Sequence, residues 1–451
     1  MIKDNSHEID MVHGSIFSGM IRFALPLAAS SILQLLFNAA DVIVIGRFSN
    51  SNSLAAVGAD GLIVGLFTNF LVNLAVGATV LASKYLGAGK KESVRSIIHV
   101  SMALAIAVGF FFMVMMYIIG KPFLLLLNTP QEVMPAALIY LYFYLPGLPG
   151  VALYNFAAAL LRAKGDTQRP FVFLLISGIL NVFMNLFFVL AAHMDVAGVA
   201  LATTISQYIA TTLMLICLMR EKDIFHLDLC SIRFEKEPLA GMLRIGVPSA
   251  CQSLVFYISN FVIQAAINSF GPVTMAGNAA ASNIETFAWV CMSGFEQAGM
   301  TYISQNLGAA DYKRIDGSFR VSLLCTAVTG FILGGIITLF GTQLMHIYTP
   351  DKSAVSQGLV RIRFICSIYG LCGIMDCIAS DIRGLGYSML PSVISMFGAC
   401  VLRILWICTI FVLPQNHTLY CLYAAYPVSW AITAIILAAS YVLVRKKLPH
   451  A

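Results

Sequence analysis

The sequence predicts an all-α integral membrane protein whose twelve transmembrane helices form two pseudo-symmetric six-helix lobes, and three observations predict it. The first is composition: 59% of the 451 residues are hydrophobic, 11% are charged and the mean hydropathy is +0.86, against about 25% charged residues in an average soluble domain. The second is a series of twelve apolar stretches, each close to the roughly 20 residues that cross a hydrocarbon core about 30 Å thick. The third is a repeat. Gly19-Met-Ile-Arg22 with Pro26 returns half a chain later as Gly241-Met-Leu-Arg244 with Pro248. Leu86-Gly-Ala88 returns as Leu307-Gly-Ala309, Thr129-Pro130 as Thr349-Pro350, and Arg162, Gly165 and Pro170 as Arg383, Gly386 and Pro391. Backbone geometry and membrane edges place these residues, so their recurrence in order marks a duplicated unit.

Taken in order, the spans centre near residues 32, 68, 107, 146, 181 and 207, then near 254, 289, 330, 368, 402 and 431. Pro146 and Pro149 interrupt the fourth, and Arg361, Arg363 and Asp376 dilute the tenth. No alternating strand pattern competes, so helices are the spanning elements. Basic residues give the orientation. Lys84, Lys90, Lys91 and Arg95 follow the second span, Arg162, Lys164 and Arg169 the fourth, and Lys313, Arg314 and Arg320 the eighth. Lys3 and Arg22 open the chain and Arg445, Lys446 and Lys447 close it, whereas the opposite loops hold only Arg47, Lys121 and Lys352. Both termini are therefore expected in the cytoplasm, and an even number of crossings per half keeps the halves parallel. The expected organisation is an amino-terminal lobe over 1–219, a charged cytoplasmic linker over 220–238 and a carboxy-terminal lobe over 239–451.

Several function classes fall away. The net charge of +6 follows from the orientation rule, so the bilayer is the expected partner and nucleic acid is not. The 11 cysteines are scattered without a Cys-x-x-Cys pair and read as core residues rather than a metal site or disulfide framework. Gly87-Ala-Gly89 and Gly384-Leu-Gly386 lack the strand, lysine and hydroxyl residue of a phosphate loop. No catalytic triad or metalloenzyme spacing is present, so neither enzyme activity nor an organic cofactor is expected. The first 15 residues, with Lys3, Asp4, Glu8 and Asp10, have no apolar signal core, and the first span is expected to act as an uncleaved insertion signal.

Ionisable groups inside apolar spans are costly and point to function. Asp41 lies 19 residues beyond Arg22, roughly 28 Å along a helix, with Val42 to Ile45 still apolar beyond it. Gln34, Asn38 and Asp41 share a helix face, a polar stripe that suits a cavity; the alternative is an Asp41–Arg47 pair at the outer interface. In the second half, Glu285, Trp289, Met292 and Glu296 share a face that combines charge with aromatic and thioether surface, which suits a lipophilic cation; the alternative is plain packing. Asp376 and Arg403 lie deep in adjacent spans and are expected to pair, with Asp376 alternating between Arg403 and an incoming cation.

Gln34-Leu-Leu-Phe-Asn38-Ala-Ala-Asp41-Val-Ile-Val-Ile-Gly46-Arg47 and Leu54-Ala-Ala-Val-Gly58 resemble the first helices of the multidrug and toxic compound extrusion (MATE) transporters. So do Arg162-Ala-Lys-Gly-Asp166-Thr-Gln-Arg169-Pro170, Gly198-Val-Ala-Leu-Ala-Thr203-Thr-Ile-Ser-Gln207 and Gln305-Asn-Leu-Gly308. The resemblance covers nearly the whole chain. It implies two lobes in a V and a cation-coupled antiporter, a monomer in a prokaryotic cytoplasmic membrane, that exports amphipathic, often cationic, small molecules in exchange for Na+ or H+. It also places Asn181, Asn185 and Thr203 in a polar cluster around Asp41. Some members carry a second carboxylate where this chain has Asn185, which leaves one acid in that cluster. A carboxylate, amide carbonyls and a hydroxyl suit Na+, and a single carboxyl suits a proton; interhelical hydrogen bonding alone would also explain the asparagines. Two alternatives stand beside the antiporter: a lipid-linked oligosaccharide flippase of the same superfamily, which would need several deep basic residues, and a passive channel.

Overall fold

The computed structural model describes residues 8–449, so Lys3 and Asp4 of the opening charge pattern lie outside the described residues. Every apolar stretch folds as a long helix: α1 (Ile16–Phe48), α2 (Ser51–Gly87), α3 (Lys91–Leu126), α4 (Met134–Lys164), α5 (Gln168–Ala191), α6 (Asp195–Arg220), α7 (Lys236–Asn268), α8 (Pro272–Gly308), α9 (Tyr312–Leu339), α10 (Lys352–Gly384), α11 (Met389–Phe411) and α12 (Leu419–Lys446). Eleven of these are long and apolar enough to cross a membrane. The twelfth, α8, has 37 residues but is diluted by Asn278, Ser282, Asn283, Glu285, Glu296 and Gln297. Helix starts follow capping chemistry. Asn50 accepts from the Ser53 amide at 2.8 Å ahead of α2, and Asp311 accepts from the Arg314 amide at 2.9 Å ahead of α9.

The duplication is written into the backbone as well as the sequence. The fourth and tenth spans each break into a 3₁₀ turn at matching places, Leu145–Gly147 and Cys366–Ile368. A π turn over Phe187–Ala191 ends α5 and another over Ile407–Phe411 ends α11. Gly165 and Gly386 both close a helix in the left-handed region, at φ 99° and 89°, where a side chain is strained. Gly109 of α3 and Gly330 of α9 mark matching close crossings. A Cβ there would come within 2.6 Å of the Pro149 Cα and 2.7 Å of the Gly370 Cα respectively. Small residues let membrane helices approach this closely.

Two compact units result. The first comprises Glu8 and Ala29–Ala250, the second Ile9–Ala28 with the chain from Cys251 onward. The boundaries fall inside α1 and α7, shortly after Pro26 and Pro248, each of which interrupts the helical ladder. In the first unit α4 is the hub, packed on α2, α3 and α6, while α5 pairs with α6. In the second α10 is the hub, packed on α8, α9 and α12. These hubs are the two most buried spans.

The Arg162–Pro170 motif forms a charge clamp at the linker end of the first unit. Lys164 is buried and reaches Glu8 at 2.7 Å, Glu221 at 2.6 Å and Asp223 at 2.6 Å. Asp166, fully buried, accepts from the amides of Gln168 and Arg169 at 3.0 and 3.1 Å, which caps α5, and pairs with the Arg169 guanidinium. Arg169 also binds Glu221. In the second unit the Arg314 guanidinium donates to the carbonyls of Met11 at 3.0 Å and Gly14 at 2.7 Å, and Asn306 donates to Met11 at 3.2 Å. The segment ahead of α1 is thereby fixed.

Candidate functional site

Three helices build a polar centre in the first unit. α1 brings Asp41, α5 brings Asn181 and Asn185 one turn apart, and α6 brings Thr203. The amide nitrogen of Asn185 donates to Asp41 Oδ1 and, at 3.2 Å, to Asn181 Oδ1. Asn181 donates to the Thr203 hydroxyl at 3.3 Å, and that hydroxyl donates to Asp41 Oδ2 at 3.3 Å. The four side chains form a closed ring. Asp41, Asn181 and Asn185 are buried, and the Asn185 carbonyl oxygen has no donor. Asp41 therefore does not pair with Arg47. Of the polar stripe that leads to it, Gln34 and Asn38 are exposed and Asp41 alone is buried.

Chemically, the ring presents carboxylate, amide and hydroxyl oxygens around one point, with a single negative charge among them. That donor set fits a monovalent cation, Na+ or H+. An idle carbonyl oxygen inside a bundle is costly unless a ligand uses it.

One acid of the first unit was not anticipated. Asp60 of α2 is fully buried, and neither of its carboxylate oxygens has a hydrogen-bond partner. The signal was present in the sequence, an acid within Val57-Gly-Ala-Asp60-Gly-Leu-Ile-Val64. Tyr140 of α4, also buried, has its hydroxyl within electrostatic reach of both Asp41 and Asp60.

In the second unit the expected helix face separates into distinct environments. Glu285 is taken by Arg361, whose Nε donates to Glu285 Oε2 at 3.1 Å and whose other arm donates to Oε1. Arg361 also donates to Asn278 Oδ1 at 2.7 Å and lies over the rings of Tyr423 and Tyr426. Met292 is fully buried with its sulfur against Gly330 and Gly373, a packing role. Trp289 is 40% exposed and lies within electrostatic reach of Asp376, to which the Cys372 thiol donates at 3.8 Å. Glu296 is buried with Oε1 unpaired, within electrostatic reach of Asp376, Asp381 and Arg383.

The expected Asp376–Arg403 ion pair is not formed. Arg403 instead donates to the Ser429 hydroxyl at 2.8 Å and stacks over Tyr426 at 4.4 Å and Trp430 at 5.7 Å. Aromatic rings on α12 thus face the guanidinium without a second buried charge, and one of its terminal nitrogens has no hydrogen-bond partner. Asp381, another unanticipated acid, is fully buried; Ser322 donates to its Oδ2 at 2.7 Å and its Oδ1 has no partner.

Comparison with known proteins places this geometry. The MatE family model matches residues 26–187 and again 248–408, once in each half of the repeat. The chain is 22% identical over 446 residues to the probable multidrug resistance protein YoeA of Bacillus subtilis, covering 96% of this chain and 95% of that one. It is 24% identical to the probable multidrug resistance protein NorM of Thermotoga maritima, over 85% and 83% of the two chains. It is 19% identical to the multidrug export protein MepA of Staphylococcus aureus, over 87% of each. Among solved structures, a transporter of the MOP superfamily from Pyrococcus furiosus superposes with a TM-score of 0.92 at 19% identity, covering 98% of this chain and 99% of that one. A MATE structure in complex with MaL6 superposes with a TM-score of 0.90 at 20% identity, over 98% and 99%.

Proposed function

The chain belongs to the MatE family of multi-pass membrane transporters, and from that premise we propose that it is a cation-coupled antiporter that exports amphipathic, cationic small molecules. The observation that carries the reading is the closed ring of Asp41, Asn185, Asn181 and Thr203 with its idle Asn185 oxygen. A buried network that holds one acid and one unsatisfied acceptor is suited to take and release a monovalent cation. Na+ or H+ is the coupling ion, and no organic cofactor takes part. The names of the relatives support export of drugs as the activity.

The protein works as a monomer in the cytoplasmic membrane of a prokaryote, with both termini cytoplasmic, as its basic loops indicate. In the second unit, Trp289, Asp376 and Glu296 offer aromatic surface and negative charge to a lipophilic cation, and Arg403 stands by as a fixed positive charge. Glu285 and Met292 hold that unit together. A flippase would use several deep basic groups to hold a pyrophosphate, but of the deep guanidiniums here Arg361 is taken by Glu285 and Arg403 is held by Ser429 and the rings of Tyr426 and Trp430.

The test is efflux of a fluorescent lipophilic cation from liposomes that contain the purified protein, under an imposed Na+ or H+ gradient. Wild type should transport under at least one of the two gradients and Asp41→Asn under neither. Equal rates with and without a gradient would indicate a passive pathway and defeat the reading.

A further inference from the structure

Among the described residues of the first unit, three acids are fully or almost fully buried: Asp41, Asp60 and Asp166. Asp41 receives donors from Asn185 and Thr203, and Asp166 from two backbone amides and Arg169. Asp60 receives none at either oxygen. An ionised carboxylate left in this state inside a helical bundle is strongly disfavoured, whereas the neutral acid is tolerated. A sodium ion takes several oxygen ligands, and no hydroxyl or amide side chain is hydrogen-bonded to this carboxylate to serve as one. A proton needs only the one carboxyl.

Its depth ties it to the ring. Asp41 lies seven residues before the end of α1, Asp60 nine residues into α2, Asn185 six before the end of α5 and Thr203 eight into α6. At about 1.5 Å per residue, all four sit roughly 9–14 Å below the same end of the bundle. The elements packed on α2 are α3, α4 and α6. The titratable groups they carry in this layer are few. α4 offers Tyr140 and Tyr144, both buried, and Tyr142; α6 offers Asp195, whose carboxylate accepts from the Ser53 hydroxyl at 2.7 Å; α3 offers Tyr117 and Lys121, both exposed. From α1 come Asp41 and the exposed Arg47. No cation faces Asp60, and the Tyr140 hydroxyl lies within reach of both acids.

We infer that Asp60 is a second coupling group of the first unit, taking up a proton from the outer aqueous phase and releasing it on the inner side once per transport cycle. Uptake turns the carboxylate into the neutral acid, release restores the charge, and no other bond changes. The chain thus supplies from α2 the second acid that Asn185 does not supply from α5. The inference rests on the antiport reading above, but it is independent of which ion Asp41 carries.

The experiment measures the substrate ratio at zero net flux in proteoliposomes, with the membrane potential clamped at zero and Na+ equal on both sides. Each coupled proton multiplies the supported substrate ratio by the proton ratio, so a tenfold proton gradient should support a ratio about tenfold smaller in Asp60→Asn than in wild type. An unchanged ratio would overturn the inference. Transport by Asp41→Asn at the full wild-type ratio would defeat the ring as an ion site while leaving the Asp60 comparison intact. A second measurement needs no variant: peptide mapping of wild-type protein treated with an apolar carbodiimide, which modifies protonated buried carboxyls. Asp60 should be modified at low pH and spared at high pH; no modification, or modification that ignores pH, would overturn it.

Discussion

Replacement of Arg361 by methionine is the sharpest probe of how the second unit is held. Arg361 is 5% exposed and Glu285 9%, and Arg361 donates to both carboxylate oxygens of Glu285 and to Asn278. Tyr423 completes the network by donating to Asn278 at 3.2 Å. Arg361→Met keeps the apolar stem but strands the Glu285 carboxylate without its charge partner, and removing one member of a buried pair costs about 3–5 kcal/mol. Removing both charges in Arg361→Met/Glu285→Gln leaves no stranded charge and should recover most of that loss. Reversible denaturant unfolding in detergent micelles, followed by tryptophan fluorescence, gives the three values. The reasoning is refuted if Arg361→Met costs less than about 1 kcal/mol, or if the double variant loses the sum of the two single losses. The same double variant should still transport, because the pair holds helices together and leaves the first unit's ring untouched.

Other expectations can be checked together. Gly299→Ala should destabilise the protein by about 1–3 kcal/mol, since the new Cβ would come within 2.5 Å of Asp381 Oδ1 and 2.6 Å of the Ser322 Cβ; a shift of the unfolding midpoint reports it. Lys164→Met strands carboxylates at the clamp, but Glu221 keeps Arg169 and Asp223 is partly exposed, so we expect about 2–3 kcal/mol, below the cost of a fully buried pair. Faster hydrogen exchange over residues 221–235 is the readout. The Ser96 hydroxyl and the Arg233 guanidinium hold Glu235 below the ordinary carboxylate range. A depressed folded value means that this tether is fully present above about pH 4 and is lost as the pH falls through the folded value. Proteolysis of the linker by an acid protease should therefore rise at the acid end, and Ser96→Ala should bring the rise to higher pH.

Much of the architecture was legible because its signals are local. Apolar length gives the spans, and the landmarks Gly165/Gly386 and Leu86-Gly-Ala88/Leu307-Gly-Ala309 recur because helix caps demand them. Asp41, Asn181, Asn185 and Thr203 were legible as polar groups in apolar helices, with the family resemblance supplying their grouping. Asp60 was missed for a geometric reason. A crossing of about 20 residues centred near 68 begins close to Asp60, whereas α2 begins at Ser51 and carries that acid nine residues in. The partners of Glu285 and Arg403 were hidden because they lie on other helices. Arg361 is 76 positions from Glu285, and the Tyr426–Trp430 cage around Arg403 belongs to α12. Helical spacing puts residues on one face; it does not say what that face meets.

The most direct test of the central claim is linkage between substrate and coupling ion. An antiporter that uses Asp41 must bind the two in opposition, and the coupling is reciprocal. The affinity of the solubilised protein for a fluorescent lipophilic cation, titrated across Na+ concentration and pH, should weaken as the coupling ion rises in wild type, and Asp41→Asn should lose the part of that response that Asp41 carries. A wild-type affinity indifferent to both ions, or an Asp41→Asn variant that keeps the wild-type dependence, would contradict the account.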